Sequence, residues 1–130
     1  MIDADVIISG EKGLFDLPAW VASMPHEQFE IAAITVAELW HGVVRASRPH
    51  KAKRQEYLQA IVAGLPIVPY TEQTAYEHAR IWAELEALGK MISSYDVIVA
   101  ATALERGSSL ATFNQRHFSQ VKGLTLIVPK

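Results

Sequence analysis

The chain has 130 residues, half of them hydrophobic and 20% charged, with a formal net charge of −2. That balance excludes disordered, collagen-like and strongly basic nucleic-acid-coating classes, and the length fits one domain over residues 1–130. The absence of cysteine excludes a disulfide scaffold, a Cys-ligated zinc site, an iron–sulfur cluster and a thiol nucleophile.

The first residues read as a short strand ending near Asp3 or Asp5, followed by a helix through Val6–Ile8 for which Asp5 is the better N-cap. Leu17 to Met24 is a short helix with Pro18 at its first position. Phe29 to Ile34 has the apolar character of a buried strand. Thr35 opens a helix that sets Val36, Leu39, Val43 and Val44 on one side. Pro49 interrupts it, Lys51 to Ala63 continues as a second helix, and Gly64 stops that one. Leu65 to Tyr70 is a strand whose Pro66 and Pro69 place it at a sheet edge. Thr71 to Leu88 is the longest helical pattern, with Ala75, Ala79, Trp82 and Leu85 three or four apart, and Gly89 ends it. Ser93 or Ser94 caps a helix that runs to Glu105 or Arg106 and stops at Gly107. Leu110–Ala111 and Leu124 to Val128 close the chain as strands. The alternation of strands and helices predicts an α/β fold, a mostly parallel sheet covered on both faces.

Three acids stand apart from those on solvated faces. Asp3 ends the first strand, Glu38 lies in the first turn of the helix after the second, and Asp96 lies in the first turn of the helix from Ser93. In an open parallel sheet such points gather outside the carboxyl ends of the strands, where these folds bind ligands. Three carboxylates among apolar neighbours repel one another unless a hard divalent cation, Mg²⁺ or Mn²⁺, joins them. A local reading competes, because Thr35-x-x-Glu38 and Ser93-x-x-Asp96 are both capping-box patterns. The two readings are compatible, since a helix N-terminus also favours an ionised carboxylate.

The charge is unevenly spread. Between Glu38 and Glu56 there is no acid, but Arg45, Arg48, Lys51, Lys53 and Arg54 fall there. Facing the acids, Arg45, Arg48 and Lys51 would meet RNA phosphates or an acidic partner; facing solvent, they belong to an ordinary helical hairpin. Arg116 and His117 lie close to the acidic edge and are more local candidates for a phosphate. His41 follows Glu38 by three residues and could lie one turn along the same face. The tryptophans read as packing or interface residues, and Tyr95 as core. No apolar run reaches the roughly 20 residues of a membrane span, and the N-terminus lacks the pattern of a signal peptide. A cytoplasmic location fits both.

Four segments in order, MIDADVII, AAITVAELWHG, ISSYDVIVAATALERG and LATFNQRHFSQVKGL, resemble the PIN-domain ribonucleases, and among them the VapC-like toxins of bacterial toxin–antitoxin pairs. The resemblance spans nearly the whole chain, with ITVAEL and YDVIVAATAL its most specific stretches. It implies a three-layer α/β/α domain that cleaves RNA, tRNA being one substrate, with Mg²⁺ or Mn²⁺ as cofactor. Asp3, Glu38 and Asp96 match the family's metal-ligating acids, and Thr112 matches an auxiliary hydroxyl. Asn114 stands where many members carry a fourth acid, so a catalytic role there falls to a neutral side chain. Asp5 replaces the usual Asn or Ser and adds a fourth carboxylate. The resemblance further implies an antitoxin partner that contacts DNA in the toxin's place, and a homodimer. Two other readings compete. Asp3-Ala4-Asp5-Val6 resembles the opening of haloacid-dehalogenase-type phosphotransferases. A neutral Asn114 is the best support for a PIN-like module that binds RNA or protein without cutting.

Overall fold

A computed structural model describes residues 1–130. The helices are α1 (Ala4–Glu11), α2 (Leu17–Ala22), α3 (Ala33–Arg45), α4 (Arg48–Gly64), α5 (Glu72–Leu88), α6 (Ser94–Arg106) and α7 (Gln115–Phe118). Four two-residue strands lie among them: β1 (Ile31–Ala32), β2 (Ile67–Val68), β3 (Leu110–Ala111) and β4 (Leu126–Ile127).

The strands form two parallel pairs. Ile31 and Ala32 stand opposite Ile67 and Val68, and Leu110 and Ala111 stand opposite Leu126 and Ile127. Residues 1–3 join the pairs. Ile2 bridges Ala111 in parallel, and its N–H donates to the Glu30 carbonyl at 2.9 Å. The order across the sheet is therefore β2, β1, residues 1–3, β3, β4. Chain order reverses between residues 1–3 and β3, which is the switch point where such sheets open a ligand crevice. Pro66 and Pro69 flank β2, which lies at the edge as their lost donors require.

The core divides by strand alternation. Met1, Ala32 and Leu110 belong to one apolar cluster with Ile81, Leu85, Val99, Ala100 and Phe118. Their chain neighbours Ile2, Ile31 and Ala111 belong to a second with Val6, Ile7, Trp20, Leu39, Val43 and Leu58. Successive side chains of a strand point to opposite faces. So α5, α6 and α7 cover one face and α1 to α4 the other, as the α/β/α expectation required. Small residues Ala100, Ala101 and Ala103, all fully buried, let α6 settle closely on the sheet and on α5.

Several local expectations are corrected. The first helix starts at Ala4, so Asp3 takes the N-cap position and Asp5 lies inside the first turn. Helix α3 starts at Ala33 without a side-chain cap, so Thr35 and Glu38 form no capping box. Helix α4 starts at Arg48 with Pro49 in its first turn, which is the placement proline tolerates best. Val44 and Tyr95 are exposed rather than buried. Thr71 caps α5, and Gly89 and Gly107 end α5 and α6 with the left-handed backbone that glycine adopts without a Cβ clash.

Candidate active site

Asp3 lies at the switch point and is only 4% exposed. Its Oδ1 accepts from the Ala4 N–H at 2.9 Å, and its Oδ2 accepts from the Thr112 hydroxyl at 2.8 Å. Thr112 leaves the end of β3 fully buried and in turn accepts the Asn114 N–H at 3.0 Å. Asp5 turns toward the same place, its Oδ2 accepting the Phe113 N–H at 3.0 Å. The first turn of α1 and the loop after β3 thus hold two carboxylates around one threonine.

Glu38 and Asp96 face this pair electrostatically. Burial pushes the Asp3 carboxyl up to about 7, and the charges of Asp5 and Asp96 push the same way against the Thr112 hydrogen bond. Glu38 is also raised to about 7, first by burial and then by Asp96 and Asp5. Burial raises Asp5, opposed by the Phe113 N–H and the Thr112 hydroxyl. Glu38 Oε1 is buried with no hydrogen-bond partner, and so is Thr35 Oγ1 one turn before it. An unpaired buried acceptor is costly, and a cation or a proton removes that cost.

Asp96 sits at the start of α6, where the Ser93 hydroxyl accepts its N–H at 3.1 Å. Only this half of the capping box forms, and the Asp96 carboxylate turns instead toward α7. Its Oδ2 lies 3.4 Å from His117 Nδ1, and Asn114 Nδ2 lies 3.0 Å from the same ring nitrogen. His117 is thus a neighbour of Asp96, a role the sequence reading did not give it. The clue was its spacing of three residues from Asn114 at the start of a short helix.

As they stand, no three Asp, Glu or His side chains form a group that could hold a metal ion. The donor chemistry nevertheless suits a hard divalent cation. It consists of carboxylate oxygens that repel one another, two of them with protons bound too tightly, and one buried oxygen without a partner.

Beside Glu38 a cavity of about 290 Å³ runs along α1, α3 and α4. Arg45 and Arg54 of the basic stretch line it, together with Lys12, which the sequence pattern does not single out. Arg48 and Lys51 are exposed on α4 and lie outside it. Arg116 lines a separate shallow cavity with His117 and Lys90. His41 is exposed and lines neither cavity.

Comparison with known proteins fits this geometry. A PIN domain profile matches residues 1–124. The chain belongs to the PIN domain family. Ribonuclease VapC1 of Rickettsia felis is 30% identical over 128 residues, covering 98% of this chain and 93% of that protein. Ribonuclease VapC2 of Haemophilus influenzae is 32% identical over 94 residues, covering 72% of this chain and 70% of its own. Among solved structures, VapBC2 from Rickettsia felis bound to a DNA fragment from its promoter superposes with a TM-score of 0.92 at 21% identity, over 100% of this chain and 98% of that one. This last likeness carries the PIN fold and its arrangement of strands. The same fold leaves no helix long and apolar enough to cross a membrane.

Proposed function

We propose that this PIN domain is a Mg²⁺- or Mn²⁺-dependent endoribonuclease, a cytoplasmic toxin held inactive by a cognate antitoxin. The observation that carries the reading is the buried Glu38 oxygen without a partner, within the field of Asp96 and Asp5. Asp3, Glu38 and Asp96 would hold the cation, with Asp5 as an additional ligand. Bound there, it supplies Lewis acidity toward a phosphodiester oxygen and lowers the cost of deprotonating a water.

The chain's own residues prepare that site. Thr112 orients Asp3, and the Phe113 N–H orients Asp5. Asn114 and His117 flank Asp96, where they can hold an incoming water or phosphate by hydrogen bonding. The family's relatives named ribonuclease, and the VapBC assembly that shares the fold, support RNA as substrate and an antitoxin as partner. An antitoxin arginine pairing with these carboxylates would block the site without a cation. DNA contact belongs to the antitoxin in this reading, and the toxin itself pairs as a homodimer.

The test is cleavage of total tRNA by the purified chain with Mn²⁺, Mg²⁺ or EDTA, beside an Asp96→Asn variant prepared identically. Cleavage that needs the metal and drops by at least about a hundredfold in Asp96→Asn supports the reading, on the scale of losing a charge-stabilising group. Equal cleavage in both preparations means a contaminant. Silence in both, with folded and antitoxin-free protein, moves the weight to the non-catalytic module that the neutral Asn114 favours.

A further inference from the structure

The cavity beside Glu38 holds more positive charge than its acids balance. Glu11 pairs with Arg54 at 3.3 Å, and Arg54 also donates to the Gly42 carbonyl at 3.3 Å. Lys12 and Arg45, by contrast, have no ion-pair partner. The remaining acid in the lining is Glu38, so three cations there face two acids. Two uncommitted cations in a concave surface next to a catalytic carboxylate call for an anionic ligand.

Position along the helices defines where that ligand sits. Arg45 follows Glu38 by seven residues on α3, roughly 10 Å along the axis at about 1.5 Å per residue. Lys12 ends α1, the helix that starts beside Asp3. Of the four clustered acids, Glu38 lines this cavity, and the two cations stand at the C-terminal ends of α1 and α3, the ends away from the acids. Ile8, Leu39 and Leu58 are the apolar part of the same lining. A strand whose scissile phosphate lies at the carboxylates would bring a neighbouring phosphate to the cations and a base or ribose against the apolar wall.

We propose that Lys12 and Arg45, with Arg54 held behind them by Glu11, form a phosphate-binding subsite that positions single-stranded RNA beside the cleavage centre. The inference rests on the ribonuclease reading for its substrate but is tested without cleavage. It also assigns the basic stretch unequally, because Arg48 and Lys51 take no part.

The experiment is binding of a fluorescein-labelled ten-nucleotide single-stranded RNA, followed by anisotropy in EDTA across a salt series. Each phosphate contact on a single strand contributes about 0.7 to the slope of log affinity against log salt. The double variant Lys12→Gln/Arg45→Gln should lower the slope by about 1.4. The double variant Arg48→Gln/Lys51→Gln removes the same charge outside the cavity and should leave the slope near wild type. Equal slopes in all three proteins, equal losses in both variants, or no RNA binding by the wild type would each overturn the proposal. A labelled glutamate decapeptide that loses binding in Lys12→Gln/Arg45→Gln while the RNA does not would also overturn it, and would give the cations to an acidic protein segment. Both cations also lie at helix C-termini, where they complement the helix dipole. That role alone would lower the thermal midpoint and leave the slope unchanged. Failure of the ribonuclease reading shows separately, as RNA binding with an intact slope difference and no metal-dependent cleavage.

Discussion

Thr112 and Asp3, 109 positions apart in sequence, are joined by a 2.8 Å hydrogen bond in which the threonine hydroxyl donates to the buried carboxylate. The bond ties the end of β3 to the start of α1 across the switch point of the sheet. Thr112→Val keeps the side-chain shape and removes the donor. It should cost about 1–3 kcal/mol of stability, the range for leaving a buried polar group unsatisfied. Thr112→Ser keeps the hydroxyl and should lose less. Urea unfolding of the three proteins at pH 8 in EDTA, where Asp3 is charged, checks the order. A valine variant as stable as wild type would mean that water takes over the bond.

The same carboxylates set a pH dependence. Asp3 and Glu38 bind protons with ordinary values of 3.8 and 4.5 when unfolded and of about 7 when folded. The native state therefore holds more protons between these limits, and stability falls as pH rises through about 7. Glu30, held below its ordinary value by Arg106 and Ser108, contributes with the opposite sign but only at more acidic pH. In EDTA the thermal midpoint should drop by roughly 5 °C or more from pH 5 to pH 8, the scale of about 1 kcal/mol in a domain of this size. Asp3→Asn should flatten the drop. Added Mn²⁺ should raise the midpoint most at pH 8, where the carboxylates are charged. A midpoint independent of pH in EDTA would show that the acids are solvated and uncoupled.

Much of this arrangement was legible in the sequence. Helices α2, α5 and α6 announce themselves through Pro18, Thr71, Ser93, Gly89 and Gly107, because caps and stops are local chemistry. Strand–helix alternation predicts that Asp3, Glu38 and Asp96 gather at one edge, and in the structure the charge of Asp96 acts on both Asp3 and Glu38. Less legible was how each acid is held. The patterns around Thr35 and Ser93 look alike, yet α3 begins two residues before Thr35 and only the Ser93 hydroxyl caps a helix. Packing of α3 against β1 and α1 decides where α3 starts, and no local motif records that. Cation selection was equally hidden. Lys12 and Arg45 line one cavity where α1 and α3 pack together, whereas Arg48 and Lys51 of the same charge run lie outside its lining.

Phe118 anchors the site from behind. It is fully buried in the cluster with Leu85, Val99, Ala100 and Val121, and it ends the short helix that carries His117. Phe118→Ala should cost about 3–5 kcal/mol, the range for emptying a core aromatic site. Phe118→Leu should cost less and preserve the backbone of α7. Denaturant unfolding gives the stabilities, and histidine chemical shifts report whether His117 keeps its place beside Asp96. An alanine variant within about 1 kcal/mol of wild type would mean that α7 collapses into the space without loss.

Gly10 of α1 and Tyr57 of α4 approach closely. A Cβ built on Gly10 would come within 2.6 Å of the Tyr57 hydroxyl and 3.1 Å of Leu17 Cβ. That hydroxyl is itself buried without a hydrogen-bond partner. Two consequences separate experimentally. Tyr57→Phe removes an unsatisfied polar atom and should be neutral or stabilising by about 1 kcal/mol. Gly10→Ala should destabilise despite alanine's better helix propensity, because the new methyl group meets the hydroxyl. Removing the hydroxyl relieves the larger of the two clashes, so the double variant should recover part of the loss. The expected signature is a favourable coupling of about 1 kcal/mol or more in a double-mutant cycle. Additive effects would show that Leu17, not Tyr57, sets the cost of a side chain at position 10.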